Sequence, residues 1–314
     1  MRRQRFLAAF FLLCGSFFVS LCRAQDLTPR AYVITPVHSN AIILTYSLST
    51  GSILFDPSLP ISDATGRLSV PVLTCYHSFS FFGRSANVSI SLPYVVGDFH
   101  GIVSNVGTDV YRSGLMDSVY RLAVNLKGGP AMPLEKFSSW HQKLIVGASL
   151  KVIAPTGQYD PTKLITPGAN RFAFKPELGL SRRWGHWLVD AYGGAFFFTT
   201  NQEFFSHNQF SANTNTRSQA PMGSLEMHLS YDVRPRLWAS IDGNYWYGGR
   251  TSFNEVEAPT SLQANSRIGG TLSTPVSKHQ SLKFSYSRGA IIRIGGNFDN
   301  FSVAWQYSWL GKPN

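Results

Sequence analysis

The residues able to do chemistry are few, and their spacing argues against catalysis. His38 and Ser39 come nearest to a nucleophile with its base, but they are adjacent and Ala41 follows. The lipid-hydrolase arrangement instead places His and Ser two apart in a His-x-Ser-Asn-Gly context, so a polar strand start is the simpler reading. The other histidines, His77, His100, His141, His186, His207, His228 and His279, show no zinc-site spacing and have no cysteine pair beside them. No metal or cofactor is therefore expected. Gly193-Gly194 and Gly269-Gly270 read as bends or close packing within strands, not as phosphate loops.

What remains is a set of charged residues that share a parity. Arg121, Lys151, Lys175, Glu177, Asp190, Glu226, His228, Asp242, Arg267 and Lys283 each sit one position out of step with an apolar stripe. On strands they all fall on the face opposite that stripe. With both signs present, they predict either a salt-bridge network or a hydrated passage. Phe196, Phe198 and Trp238 share the same parity and would add a greasy path or a plug.

The elements that would carry them are β-strands. Apolar residues alternate with small or polar ones over segments of about ten positions, the period of a two-faced strand. Phe301, Val303, Trp305, Tyr307 and Trp309 show it most clearly. Equivalent stripes run through Val88–Tyr94, Tyr120–Leu126, Leu144–Val152, Phe172–Leu180, Trp187–Phe197, Leu225–Tyr231, Leu237–Tyr247, Ile268–Thr274 and Leu282–Tyr286. Two earlier strands are expected near Ala41–Leu48 and Leu68–Phe81.

Connections alternate short and long. Tight turns fall at Phe82-Gly83-Arg84, Arg183-Trp184-Gly185, Asp232–Pro235 and Val276-Ser277-Lys278. Long polar loops are expected at Gly97–Asp117, Pro155–Asn170, Thr199–Pro221, Gly248–Gln263 and Arg288–Asp299. Gly128–His141 breaks the rule, being long where a tight turn is due. The fold class is all-β: a closed antiparallel transmembrane β-barrel of about twelve strands with periplasmic turns and external loops. Its apolar face must point outward, because lipid cannot satisfy a sheet edge and the sheet has to close.

The start of the chain agrees. Arg2, Arg3 and Arg5 precede an apolar stretch from Phe6 to Val19 and a Cys22-Arg23-Ala24 end, the pattern of a secretory signal peptide over residues 1–24. Residues 25–314 would form the barrel. Only Cys75 remains beyond the signal, so no internal disulfide can form. The formal charge of +11 includes four arginines within the signal, and the remaining bases are scattered. That pattern favours anionic lipid headgroups over nucleic acid as the neighbour.

Two longer runs carry a resemblance. Lys151-Val152-Ile153-Ala154-Pro155-Thr156-Gly157-Gln158-Tyr159-Asp160 and Gly168-Ala169-Asn170-Arg171-Phe172-Ala173-Phe174-Lys175-Pro176-Glu177-Leu178-Gly179 resemble the outer-membrane family associated with the meta-pathway of phenol degradation. Trp246–Ser252, Asn265–Gly269 and Phe284–Gly289 agree with it. The resemblance implies a bacterial outer-membrane channel or transporter for small hydrophobic or aromatic solutes, with no catalytic residue. The final aromatic-rich strand, through Phe301, Trp305, Tyr307 and Trp309, resembles the closing strand that barrel-assembly machinery reads, which makes that machinery an expected partner during biogenesis. A structural or loop-binding barrel with a plugged lumen is the alternative from another class, and an outer-membrane lipid hydrolase using Ser39 is a remote third.

Overall fold

The computed structural model describes residues 27–54, 61–103, 105–208 and 211–311. The signal segment lies outside the described residues. Sixteen strands occur in chain order: β1 Ser39–Leu54, β2 Ile61–Phe81, β3 Arg84–Val103, β4 Val106–Leu115, β5 Ser118–Lys127, β6 Leu144–Ala154, β7 Ala173–Trp184, β8 Trp187–Phe198, β9 Arg217–Gln219, β10 Met222–Arg234, β11 Leu237–Gly248, β12 Thr251–Phe253, β13 Val256–Glu257, β14 Gln263–Pro275, β15 Gln280–Ile292 and β16 Gly295–Leu310.

All but β9, β12 and β13 form one antiparallel sheet, in the order β2-β1-β16-β15-β14-β11-β10-β8-β7-β6-β5-β3-β4. β2 also pairs with β3, so the ring of strands is complete, and β1 and β16, the first and last strands, meet at its seam. β4 and β5 share one place in the wall. The upper half of β3 pairs with β4 and the lower half with β5, so the thirteen-stranded sheet has twelve strand positions. The break between them is Met116-Asp117.

Alternation fixes which face is outside. On β5 the exposed Tyr120, Leu122 and Leu126 alternate with the buried Ala123 and Asn125. The outward stripe stays apolar through Leu44, Tyr46, Leu73, Leu92, Tyr94, Tyr286 and Phe301. It turns polar along one cross-strand row, Asp299, Thr50, Arg67, Asp98 and Tyr111. That row marks where the wall leaves the lipid.

Two expected loops are corrected by this row. The Gly97–Asp117 segment continues β3 and returns as β4, and Arg288–Asp299 continues β15 and begins β16. The alternation persists there, but above the membrane both faces of a strand tolerate polar residues, so the segments resemble loops in composition. β2 and β3 are 21 and 20 residues long. At about 3.3 Å per residue they rise well beyond the roughly 25 Å apolar band, and the wall projects outward on that side. The loops around Thr199–Pro221 and Gly248–Gln263 likewise hold structure: β9, β12 and β13 make a small external sheet.

At the other end the turns are tight. Phe82 and Gly83 both have positive φ, 48° and 76°, as a two-residue hairpin with the right-handed strand twist requires. The long Gly128–His141 connection is on this side and carries a one-turn helix, Leu134–Phe137. Its Met132, Phe137 and Trp140 pack with Tyr32 and Ile34 of the segment before β1, and with Ala123, Ile145 and Tyr192 of the wall. The connection is long because it helps close the periplasmic mouth.

Candidate functional site

The segment 27–38 does not lie outside the barrel. It turns at Pro29–Tyr32 within the lumen and leaves to start β1. The Arg30 backbone N–H donates to Asp190 at 3.1 Å and the Ala31 N–H to the Tyr192 hydroxyl at 3.0 Å. Asn125 Nδ2 donates to the Tyr32 carbonyl at 3.2 Å. Near the mouth the Arg30 guanidinium pairs with Asp232 at 2.7 Å and stacks 4.2 Å over Trp238, while Arg183 pairs with the other Asp232 oxygen.

Tyr32 is 1% exposed. Its hydroxyl donates to Glu177 Oε1 at 3.0 Å and is 3.0 Å from Ser149 Oγ. Tyr192 meets its ring edge-on at 5.2 Å, and Arg121 lies 5.1 Å over its face. The wall behind the ring carries Gly147 on β6 and Gly179 on β7, directly in register. A Cβ at either would fall 2.3 Å or 2.0 Å from a Tyr32 ring carbon, so the ring fits only because both side chains are missing.

From Glu177 a chain of polar contacts runs along the inner wall from β7 to β14. Lys175 Nζ lies 2.7 Å from Glu177 Oε2 and 2.8 Å from Glu226 Oε1. Glu226 Oε2 is 3.8 Å from His228 Nε2, and His228 Nδ1 is 2.9 Å from Asp242. Thr271 donates to Asp242 at 2.7 Å. Burial of so many charges is tolerable only because each of these carboxylates faces a cation or a donor.

The charged residues expected on the inner face therefore separate into groups. Arg121, Lys175, Glu177, Glu226, His228 and Asp242 meet in the chain around Tyr32, and Asp190 holds the segment itself. Lys151 sits in register between Arg121 and Lys175. Arg267 stands apart, its Nη2 donating to the carbonyls of Phe298 at 2.7 Å and Ser287 at 3.2 Å. Lys283 is on the inner face of β15, within the electrostatic influence of Asp242.

Above this chain the lumen turns apolar. Lys175 Nζ lies 5.3 Å over the Phe196 ring, and Phe196 packs with Met222, Trp246, Ile153 and Phe198. On the projecting side Ile53, Leu68, Val95, Phe99 and Phe298 line the interior. The external sheet and its neighbouring loops add further ring contacts, Phe204 against Phe253, Arg217 over Phe204 and Arg171 over Phe198.

The long loop Pro155–Asn170, which joins the two family-like runs, straps the wall where β4 gives way to β5. Asp117, at the strand break, accepts from the Gly157 and Ala169 amides at 3.1 and 3.0 Å. Thr156 Oγ1 accepts from the Ser118 amide at 3.0 Å, and the Gln158 amide donates to the Leu115 carbonyl at 2.8 Å. Asp160 caps the Thr162 hydroxyl and amide and pairs with Lys163, which holds its carboxyl down to about 2.

Sequence reasoning passed over Arg30, Tyr32, Ser149 and Tyr192. The signal for the first two was weak, because a coil inside a barrel has no period. Gly147 and Gly179 at matching inward positions were the usable hint.

The sequence profile described as "Putative MetA-pathway of phenol degradation" matches residues 69–312. The chain belongs to that family. Among solved structures it is similar to an outer membrane channel from Pseudomonas putida F1, at 18% identity and a TM-score of 0.74, over 90% of this chain and 100% of that one. It is also similar to the beta domain of the Bordetella autotransporter Brka, at 14% identity and a TM-score of 0.48, over 87% and 100% of the two chains. A KdgM porin aligns at 9% identity and a TM-score of 0.43, over 86% and 99%. No curated protein sequence matches. The first of these likenesses supports the outer-membrane barrel fold, and the family ties the chain to phenol degradation.

Proposed function

We propose that this family member is a non-enzymatic outer-membrane channel for small hydrophobic or aromatic solutes, held closed by its own N-terminal segment. The observation that carries this is the two-zone interior. A packed apolar cluster of Phe196, Met222, Trp246 and Phe198 stands next to the Lys175–Glu226 pair, and Tyr32 of the N-terminal segment is buried against the wall on the other side of that pair. An aromatic solute gains from each of these rings by stacking and by burial of its apolar surface.

The hydrolase alternative has no supporting contact. Ser39 Oγ donates to the Pro36 carbonyl at 2.7 Å, a local turn bond, and the Ser39 amide donates to Ser78. The structural-barrel alternative draws on the plug itself. One experiment separates it from the channel reading: entry of phenol and toluene into liposomes with and without the purified protein, followed by an enclosed aromatic-oxidising reporter. Faster entry with protein is the expected result. Rates equal to empty liposomes for every aromatic tried would refute the channel and leave the structural barrel.

A further inference from the structure

We propose that the Tyr32 slot is itself a binding site for phenolic solutes, and that Tyr32 occupies it as a built-in competitor that a phenol displaces to open the lumen. The inference rests on the channel reading and names its substrate class and its gate.

The wall supplies every element that recognises a hydroxylated aromatic ring. Gly147 and Gly179 leave a flat space on adjacent strands in which the ring lies. Glu177 Oε1 accepts the hydroxyl proton, and Ser149 Oγ sits at hydrogen-bond distance from the same oxygen. Tyr192 presents its edge to the ring and Arg121 its guanidinium to the face. All of these groups belong to β5, β6, β7 and β8, which are locked in the barrel. The ring that fills the space belongs to a turn held by a handful of side-chain bonds. Cutting a tyrosine at its Cβ leaves 4-methylphenol, so the slot as built fits that molecule.

The slot is also placed where a solute would reach it. Glu177 and the Phe196 ring both contact Lys175, so the slot adjoins the apolar cluster along which an aromatic solute would descend. The acceptor on Glu177 gives the selectivity. A site built around a buried hydroxyl partner leaves that partner unsatisfied when the ring arrives without one, which penalises toluene against a phenol of the same shape.

The test uses the whole barrel in lipid nanodiscs with 4-methylphenol and toluene as probes. Tyr32→Ala empties the slot and should bind 4-methylphenol saturably by calorimetry, at least about tenfold more tightly than toluene. The wild type should bind it at least about tenfold more weakly than Tyr32→Ala, since the tethered ring competes at an effective concentration on the order of millimolar. Adding Gly179→Val to Tyr32→Ala should abolish binding. In the unaltered protein, 4-methylphenol should raise hydrogen exchange at the Ala31 amide, and toluene should not. Absence of saturable binding to Tyr32→Ala, or equal binding of the two probes, overturns the proposal. If Tyr32→Ala does not fold, an Ala31 amide in the wild type that stays protected at saturating 4-methylphenol overturns it alone. Liposome entry is read separately: aromatic entry without slot binding defeats this inference and leaves the channel standing, while slot binding without entry defeats the channel and, with it, the opening of the lumen proposed here.

Discussion

Gly179→Ala should expel Tyr32 from the lumen wall. The added Cβ would sit 2.0 Å from Tyr32 Cε2, 2.3 Å from Cδ2 and 2.8 Å from Cζ. Carbon atoms in contact need about 3.5–4.0 Å, so the ring must retreat by roughly 1.5–2 Å. That retreat breaks the 3.0 Å bonds to Glu177 and Ser149. Losing a hydrogen bond to a charged group removes about 1.5–3 kcal/mol. Losing the burial of the ring removes a similar ~1.5–3 kcal/mol. Together the docked segment should be disfavoured by about 3–6 kcal/mol, a factor on the order of a hundred to ten thousand. Planar-bilayer recording should then show longer and larger openings than the wild type, with faster hydrogen exchange at Ala31. Gly193→Ala is the control, because nothing lies within 4 Å of its Cβ position. A Gly179→Ala barrel with the openings and Ala31 exchange of the wild type would refute the reasoning.

Lys175→Met removes the cation between Glu177 and Glu226 and should destabilise the barrel by about 3–5 kcal/mol in urea unfolding from vesicles. Lys175→Met combined with Glu177→Gln and Glu226→Gln should recover most of that loss, and equal instability of the single and triple variants would contradict it. Asp117→Ala frees the Gly157 and Ala169 amides, at a cost of about 3 kcal/mol to the docking of residues 155–172. Limited proteolysis should cut that strap in the variant while the barrel stays intact; a strap as resistant as in the wild type would count against the role given to Asp117.

The alternation legible in the chain carries the barrel, because a strand between lipid and lumen has no choice of face. Arg121 and Lys175 are placed on the inner side by that rule alone. Their partners are not. Lys175 meets Glu226, 51 positions away, through the register of two successive strand pairs, and register depends on turn geometry and barrel shear. The extended β3–β4 hairpin was misread because outward residues such as Asp98 and His100 stand in water, where composition no longer separates strand from loop. Tyr32 was missed for a different reason: its environment is created by four strands that come after it.

The order of the chain also bears on how the molecule is made. The seam that closes the barrel joins β1 to β16 from Ser39–Leu310 to Leu54–Gly295, the two strands farthest apart in the sequence. Pairing so non-local is slow to form. Tyr32 lies just ahead of the first residue of that seam, and its slot lies on the opposite stretch of wall, in β6 and β7. The segment that fills the lumen is therefore continuous with one edge of the closing seam, so a plug that leaves its slot stays tethered beside the first pair of the zipper and returns without ever leaving the molecule.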